Sequence, residues 1–344
     1  MLALLATPVA AQDETIVVQS PLIHPAAGLM NEHMHEGGEL MLGLRFERTH
    51  SGGRNRSGTS AIADADIVAA GFTARTESMT MDMVMFDLMY APNDRLTLMV
   101  MPHYMWHRMT MRGIDPAGGM GGGHAGHGGG HALAFGETHE HGTDGFGDTL
   151  VSASYRLARQ RGFGAHATLG LWLPTGSVSR TNADGTFVHY GMQSGSGTWD
   201  IEPALTVTGH AGTIGWGAQA SYRWRTDGDN ASGFALGDKA RATGWVSALL
   251  GRDVGATARI EYVHEGQVQG HYNGAHHHAS PPDRQENYGG DVVSAGVGLN
   301  WLLPVGGSRK PQLSGEFSVP LHQDLNGIQA PQDWRFTLGI SQTF

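Results

Sequence analysis

Hydrophobic and polar residues alternate with a period of two along many segments of this chain. The segment 95–111 shows the pattern most clearly, because one face is apolar and ends in aromatic residues while the other carries methionine, histidine and threonine. The apolar face consists of Leu96, Leu98, Val100, Pro102, Tyr104 and Trp106. Since successive side chains of a β-strand point to opposite sides, we predict a strand with a lipid-facing side, an aromatic girdle and a second side that faces a lumen.

The same alternation recurs along the chain and predicts about twelve strands. These are 38–48, 77–90, 94–111, 146–157, 163–174, 197–209, 213–226, 240–251, 254–265, 290–303, 311–320 and 333–344. The connections are alternately short and long, and the long ones are 49–76, 112–145, 175–196, 227–239, 266–289 and 321–332. We therefore predict an all-β fold, a transmembrane antiparallel up-and-down β-barrel of about 12 strands with short periplasmic turns.

The two ends of the chain fit an exported barrel. Residues 1–11 are apolar and end in small residues, which is typical of a signal peptide, although the missing basic region suggests that it is truncated. Residues 12–37 would then be a periplasmic segment or plug, and 38–344 the barrel. Apolar residues alternate up to the terminal Phe344, which resembles the signal read by the barrel-assembly machinery, although Gln342 departs from it. We expect a location in the bacterial outer membrane, with outer-membrane lipid and that machinery as partners.

Composition removes several other classes of protein. The chain of 344 residues has a net charge of −10, so it carries no basic surface for nucleic acid. It has no cysteine, which excludes disulfides and thiolate metal sites. No apolar run reaches the roughly 18 residues of a transmembrane helix. A Ser–His hydrolase site needs both residues on one rigid strand face, whereas His276-His277-His278-Ala279-Ser280 lies in the predicted loop 266–289, so we expect no enzyme.

Three short motifs carry a resemblance to a known family. They are Gly145-Phe146-Gly147-Asp148-Thr149, Trp172-Leu173-Pro174-Thr175-Gly176-Ser177 and Gly195-Ser196-Gly197-Thr198-Trp199-Asp200. Their order resembles the outer-membrane "transporter" family named for the meta-pathway of phenol degradation. The resemblance implies a barrel through which aromatic compounds pass. It rests on residues 145–200, and elsewhere only the barrel pattern matches.

Methionine and histidine crowd the lumen side of two neighbouring predicted strands, 77–90 and 94–111. A thioether is soft and, without cysteine, is the side chain best suited to Cu(I), while imidazole accepts copper in either oxidation state. Two other interpretations stay open: methionine as an adaptable packing residue, and a methionine-lined path for an apolar substrate. The candidate metal ligands on the strands are Met41, Met79, Met81, Met83, Met85, Met89, Met99, Met101, His103, Met105, His107, Met109 and Met111.

Histidines in the predicted loop 112–145 add further candidates, namely His124, His127 and His131. Short histidine-rich tracts are typical of metal binding, but imidazole alone does not select the metal. We therefore predict an outer-membrane barrel that binds or passes metal ions, with copper as the first candidate and no other cofactor. The alternative is a channel for small hydrophobic or aromatic compounds.

Overall fold

The computed structural model describes residues 20–22, 27–117, 133–305 and 309–344, and strands dominate it. Within these residues no helix is long and apolar enough to cross a membrane. A short helix, α1, spans Asp64–Ala69, and single 3-10 turns lie at Tyr190–Met192, Pro281–Asp283 and Gln285–Asn287. The strands are β1 (Leu40–Gly52), β2 (Arg56–Gly58), β3 (Ser60–Ala61), β4 (Ala74–Asn93), β5 (Leu96–Met101), β6 (His103–Gly113), β7 (Thr138–Phe146), β8 (Thr149–Gln160), β9 (Phe163–Leu173), β10 (Asp200–Ala211), β11 (Ile214–Arg225), β12 (Phe234–Ala235), β13 (Lys239–Leu249), β14 (Val254–Glu265), β15 (Gln269–Gly270), β16 (Gly290–Leu302), β17 (Gln312–Gln329) and β18 (Gln332–Thr343).

The main sheet closes on itself, because β1 pairs antiparallel with both β4 and β18. β5 and β6 are two parts of one strand that is interrupted at Pro102, a residue with no N–H to donate to the ladder. Counting them as one, the barrel has twelve strands in the order β1, β4, β5 with β6, β8, β9, β10, β11, β13, β14, β16, β17 and β18. The predicted twelve-strand antiparallel barrel is confirmed, and closure leaves few backbone groups unpaired in the membrane.

Two of the predicted long loops are shorter than expected. Residues 138–146 form β7, which pairs with the upper half of the long β4–β6 hairpin and raises one side of the wall. β17 runs on to Gln329, because β2 supplies a hydrogen-bonding partner for its upper half. Polar residues above the apolar belt resemble loop in the sequence, yet a strand persists there wherever a neighbouring strand pairs with it.

The alternation of faces follows the pattern in the sequence. Leu44, Val246 and Val297 point outward and are 51%, 55% and 66% exposed, whereas Met41 and Met89 point inward and are 5% and 2% exposed. Burying apolar side chains in lipid stabilises the barrel by about 25 cal/mol per Å² of area removed from water. The outer face is therefore an apolar belt, and the methionines belong to the lumen.

Residues 27–37 lie inside the periplasmic half of the barrel. Leu29 is fully buried against Trp245 of β13. Gln219 of β11 donates a hydrogen bond to the carbonyl of Met30 at 3.0 Å, and His166 of β9 bonds the carbonyl of Asn31 at 2.8 Å. We call residues 27–37 the inner segment. It contacts several strands of the barrel and fills the lumen below the middle of the barrel.

The loops at the other end fold inward and pack on one another. Tyr190, Phe234 and Tyr272 are almost fully buried there. The ring of Tyr272 is stacked between those of Phe187 and Tyr190, with both centroid distances 4.3 Å. This aromatic cap covers the extracellular end of the lumen, and burial raises the pKa of Tyr272, which keeps its hydroxyl neutral.

Candidate functional site

A chamber of about 550 Å³ lies between the inner segment and the aromatic cap. Side chains from most of the barrel strands line it, among them the charged residues Arg45, Glu47, Glu265 and Arg335, and two groups on separate strands, which we call walls, differ clearly in chemistry. The first wall, on β4 to β6, carries thioethers and imidazoles: Met81, Met83, Met85, Met101, His103, Met105 and His107. The second wall, on β11 and β13, carries cations: Arg223, Arg225, Lys239 and Arg241.

The methionine wall is ordered by strand register. β4 and β6 pair so that Met83 lies opposite Met105 and Met85 opposite His103. Because these pairs sit on the inward face, their side chains lie next to one another and form a continuous soft surface. The sequence prediction that the two strands present a joint methionine and histidine face to the lumen therefore agrees with the structure.

The methionines also form two packed groups. At the lower end of the chamber, one buried cluster holds Met41, Met89 and Met99 together with Leu150, and it includes Met85, Met101 and Trp172, which also line the chamber. Above it, Met109 and Met111 pack with Met192 and Val188 of an inward loop, and Met79 lies at the edge of that group. These residues fill space between the wall and the segments inside it, which is the packing role that methionine suits.

The structure brings the strand candidates together but leaves the loop candidates untested. His124, His127 and His131 lie outside the described residues. Within the described ranges, no group of three or more histidine, aspartate or glutamate side chains is arranged to hold a metal ion. The Nδ1 of His103, like that of His141 on β7, is buried without a hydrogen-bond partner in the described part of the chain. Copper binding by the thioethers stays a prediction.

The cationic wall is held by carboxylates on the flanking strands. Arg223 donates a hydrogen bond to Glu202 at 2.9 Å, and its guanidinium lies 3.7 Å above the ring of Trp172. Arg225 pairs with Asp200. On the next strand, Lys239 lies 2.8 Å from Glu265. Such pairs fix the long cationic side chains in one orientation. Removal of one partner destabilises a protein more when the pair is buried inside a barrel than when it lies on an open surface.

In the sequence, Arg223 and Arg225 alternate with the apolar Tyr222 and Trp224, which indicates an inward position, whereas Lys239 and Arg241 carry a weaker signal. Lys239, Arg241 and Thr243 alternate with Ala240, Ala242 and Gly244 along β13. Small residues on the outward face gave too little apolar contrast to assign the faces. The pairing of β11 with β13, which places Lys239 opposite Arg223, is visible only in three dimensions.

The three sequence motifs meet at the carboxylate of Asp148. This side chain accepts hydrogen bonds from the backbone N–H of Gly176 at 3.0 Å and from the N–H and hydroxyl of Ser196 at 2.7 and 2.6 Å. A side-chain Cβ at Gly176 or Gly195 would collide with the backbone of the other, so only glycine permits this approach. The motifs thus anchor both ends of the inward loop 174–199 beside the chamber.

Comparison with known proteins identifies one family and several solved structures of similar fold. The family model described as "MetA-pathway of phenol degradation" matches residues 69–330, well over half of the chain. No curated protein matches the sequence.

Among solved structures, an outer membrane channel from Pseudomonas putida F1 is 14% identical, with a TM-score of 0.59, over 92% of this chain and 99% of that one. The NanC porin is 8% identical, with a TM-score of 0.41, over 88% and 98% of the two chains. A FadL homologue from Pseudomonas aeruginosa is 8% identical, with a TM-score of 0.40, over 89% of this chain and 90% of that one. The first of these is similar in fold along nearly its whole length.

Proposed function

The chain belongs to the family of the MetA-pathway of phenol degradation and is a β-barrel of the bacterial outer membrane, and we propose that it is a channel for small aromatic and other hydrophobic compounds. The family description supports this choice of cargo over metal ions. It also agrees with the alternative that the sequence left open.

The observation that carries the proposal is the methionine wall of the chamber. A cavity of about 550 Å³ has the size of ordinary small-molecule sites. Thioethers on flexible side chains adapt to apolar ligands of different shape and make favourable contacts of about 0.3–1.5 kcal/mol with aromatic rings. A general porin for polar solutes would gain nothing from such a surface.

Passage requires that the chamber connect to both sides of the membrane. The aromatic cap covers it from outside, and the inner segment fills the lumen beneath it. Hydrogen bonds from Gln219 and His166 to its carbonyls hold the inner segment, and each contributes about 1 kcal/mol. Ion pairs of Arg156 and Arg159 with Glu36 and the burial of Leu29 against Trp245 hold it as well. Passage of a compound therefore requires the segment to move against these contacts.

Uptake by whole cells tests the proposal, because the lipopolysaccharide leaflet slows the direct entry of apolar compounds. Porin-deficient cells that produce the chain should take up labelled toluene and catechol faster than cells without it. Glucose uptake should not change. The double variant Met83→Trp, Met105→Trp fills the chamber and should abolish the gain.

A matched control places the same bulk on the lipid side of the same wall. Val100 points outward and is 40% exposed, so Val100→Trp should leave uptake unchanged. Equal uptake by cells with and without the barrel would overturn the proposed function.

Copper binding is a second candidate, favoured by one specific observation. The buried Nδ1 of His103 lacks a hydrogen-bond partner among the described residues and lies on a strand face with Met101 and Met105. Imidazole with two or three thioethers is a donor set that suits Cu(I). Copper would then be cargo or a bound ion in the same wall that contacts the hydrophobic compound.

A further inference from the structure

We propose that the chamber selects hydrophobic compounds that carry a carboxylate, with the apolar part on the methionine wall and the carboxylate on the cations of β11 and β13. This assignment of substrate class rests on the proposed channel function. It follows from the position of the two walls, the exposure of the cations and the placement of their partners.

The cations form a compact group on two adjacent strands. Arg223 lies directly opposite Lys239 in the register, and Arg241 lies opposite Ser221, one inward position further down. Arg225 follows at the next inward position on β11. Four positive side chains on neighbouring inward positions would repel one another in isolation, so an anion between them gains from several at once.

Two of the carboxylates that pair with these cations lie behind them, since Asp200 beside Arg225 is fully buried and Glu261 is 4% exposed beside Arg241 at 22%. The other two are about as exposed as their cations, with Glu202 at 17% beside Arg223 at 19% and Glu265 at 34% beside Lys239 at 29%. Inside a barrel that exposure is toward the chamber, and Arg223 and Arg241 both line it. The guanidinium groups therefore keep donors for a second acceptor while their first acceptor holds them in place.

The two walls face each other across the lumen. In the barrel order, β8, β9 and β10 separate β6 from β11 on one side, and β14, β16, β17, β18 and β1 separate β13 from β4 on the other. A ligand in the chamber thus meets thioethers on one side and cations on the other. Neither a neutral hydrocarbon nor a small inorganic anion uses both surfaces.

Trp172 extends the binding surface between the walls. Its ring lines the chamber, lies under the guanidinium of Arg223 and donates from its Nε1 to Glu202 at 2.7 Å. This arrangement holds the guanidinium of Arg223 between the ring of Trp172 and the carboxylate of Glu202. A planar arginine in a fixed position is suited to bidentate binding of a carboxylate.

Equilibrium binding to the folded full-length barrel tests the inference with three probes of nearly equal shape. Benzoate, benzamide and benzamidinium differ mainly in charge, which at pH 7 is about −1, 0 and +1, respectively. We expect benzoate to bind roughly tenfold more tightly than benzamide, the difference that a charge-assisted hydrogen bond supplies, and benzamidinium to bind least. Titration calorimetry gives all three constants, and acetate tests the need for the ring.

The double variant Arg223→Gln, Arg241→Gln should remove the preference for benzoate while leaving benzamide binding unchanged. Arg48→Gln, Arg108→Gln is the matched control, because both residues pair with carboxylates on the outer face of the wall. If the first variant does not fold, Lys239→Gln alone, at the most exposed of the four cations, should reduce the preference severalfold.

The outcomes separate this inference from the proposed function. Benzamide bound as tightly as benzoate, or benzoate bound equally by the double variant, would overturn the carboxylate selectivity, while the uptake of toluene and catechol would still stand or fall on its own measurement. Acetate bound as tightly as benzoate would show an anion site without a role for the methionine wall and would also overturn the inference.

Discussion

At the scale of single residues, the methionines take different roles at neighbouring positions of the same strands. Met83 and Met105 face the chamber, while Met89 and Met99 are 2% and 4% exposed and pack beneath it. The sequence shows all of them on one face and cannot distinguish these depths. The same side-chain positions fit two roles, namely copper ligand and packing residue.

A Cu(I) titration against a chromogenic chelator decides between ligand and packing residue. In the variant Met83→Leu, Met85→Leu, Met99→Leu, Met101→Leu, leucine keeps the volume, so each change should cost less than about 1.5 kcal/mol of stability. If the lumen binds copper, the native barrel takes up more Cu(I) than this variant. Histidines elsewhere in the chain contribute equally to both proteins.

The control for that titration is Met109→Leu, Met111→Leu, which changes the separate upper cluster. Equal copper binding by the native barrel and the fourfold variant would assign these methionines to packing and to the apolar wall.

At the scale of elements, strands were predictable from the sequence and their extensions were not. Except for β17, the barrel strands lie within a few residues of the predicted spans, because alternation and turn residues are local signals. The continuation of β17 to Gln329 and the presence of β7 depend on partners far away in the chain, β2 and β6. The motifs around Asp148 were recognised as a resemblance, but their meeting in space needed the fold.

The junction at Asp148 should control the inward loop 174–199. Asp148→Asn removes the negative charge and one acceptor from three hydrogen bonds, at a cost of about 1.5–3 kcal/mol for charged bonds of this kind. We expect faster amide exchange and faster proteolysis in 174–199, with the barrel strands unaffected.

Asp184→Asn serves as the control, because Asp184 lies in the same loop but bonds Thr186 within it and His277 of a neighbouring loop, and not the residues at the junction. Exchange in 174–199 that is equally fast in both variants would mean that Asp148 does not anchor the loop.

At the scale of the whole molecule, the barrel encloses an inner segment and inward loops. Its wall is held by continuous ladders, whereas its contents are held by side chains, by packing and by short backbone pairings such as that of β12 with β15. The chamber between them owes its two walls to opposite sides of the barrel, which no local stretch of sequence reveals.

His141 lies on β7, above the membrane and on the side of the loops. Burial lowers the pKa of its imidazole to about 4, which leaves the ring neutral at pH 7.

Removal of residues 20–37 should open the periplasmic end of the chamber. The strands retain all their ladder partners, so the barrel should still fold and migrate in its heat-modifiable form. We expect the single-channel conductance in a planar bilayer to rise, because water then fills the part of the lumen that the inner segment occupies. Unchanged conductance would show that the inner segment does not limit passage.

A crystal structure of the full-length barrel with 4-bromophenol tests the central claim most directly, because anomalous scattering from bromine locates an aromatic compound without interpretation of weak density. The account predicts a bromine peak inside the chamber, against Met83 and Met105 on the methionine wall. A peak only on the outer surface of the barrel, among detergent, or none within the lumen at saturating ligand would contradict it.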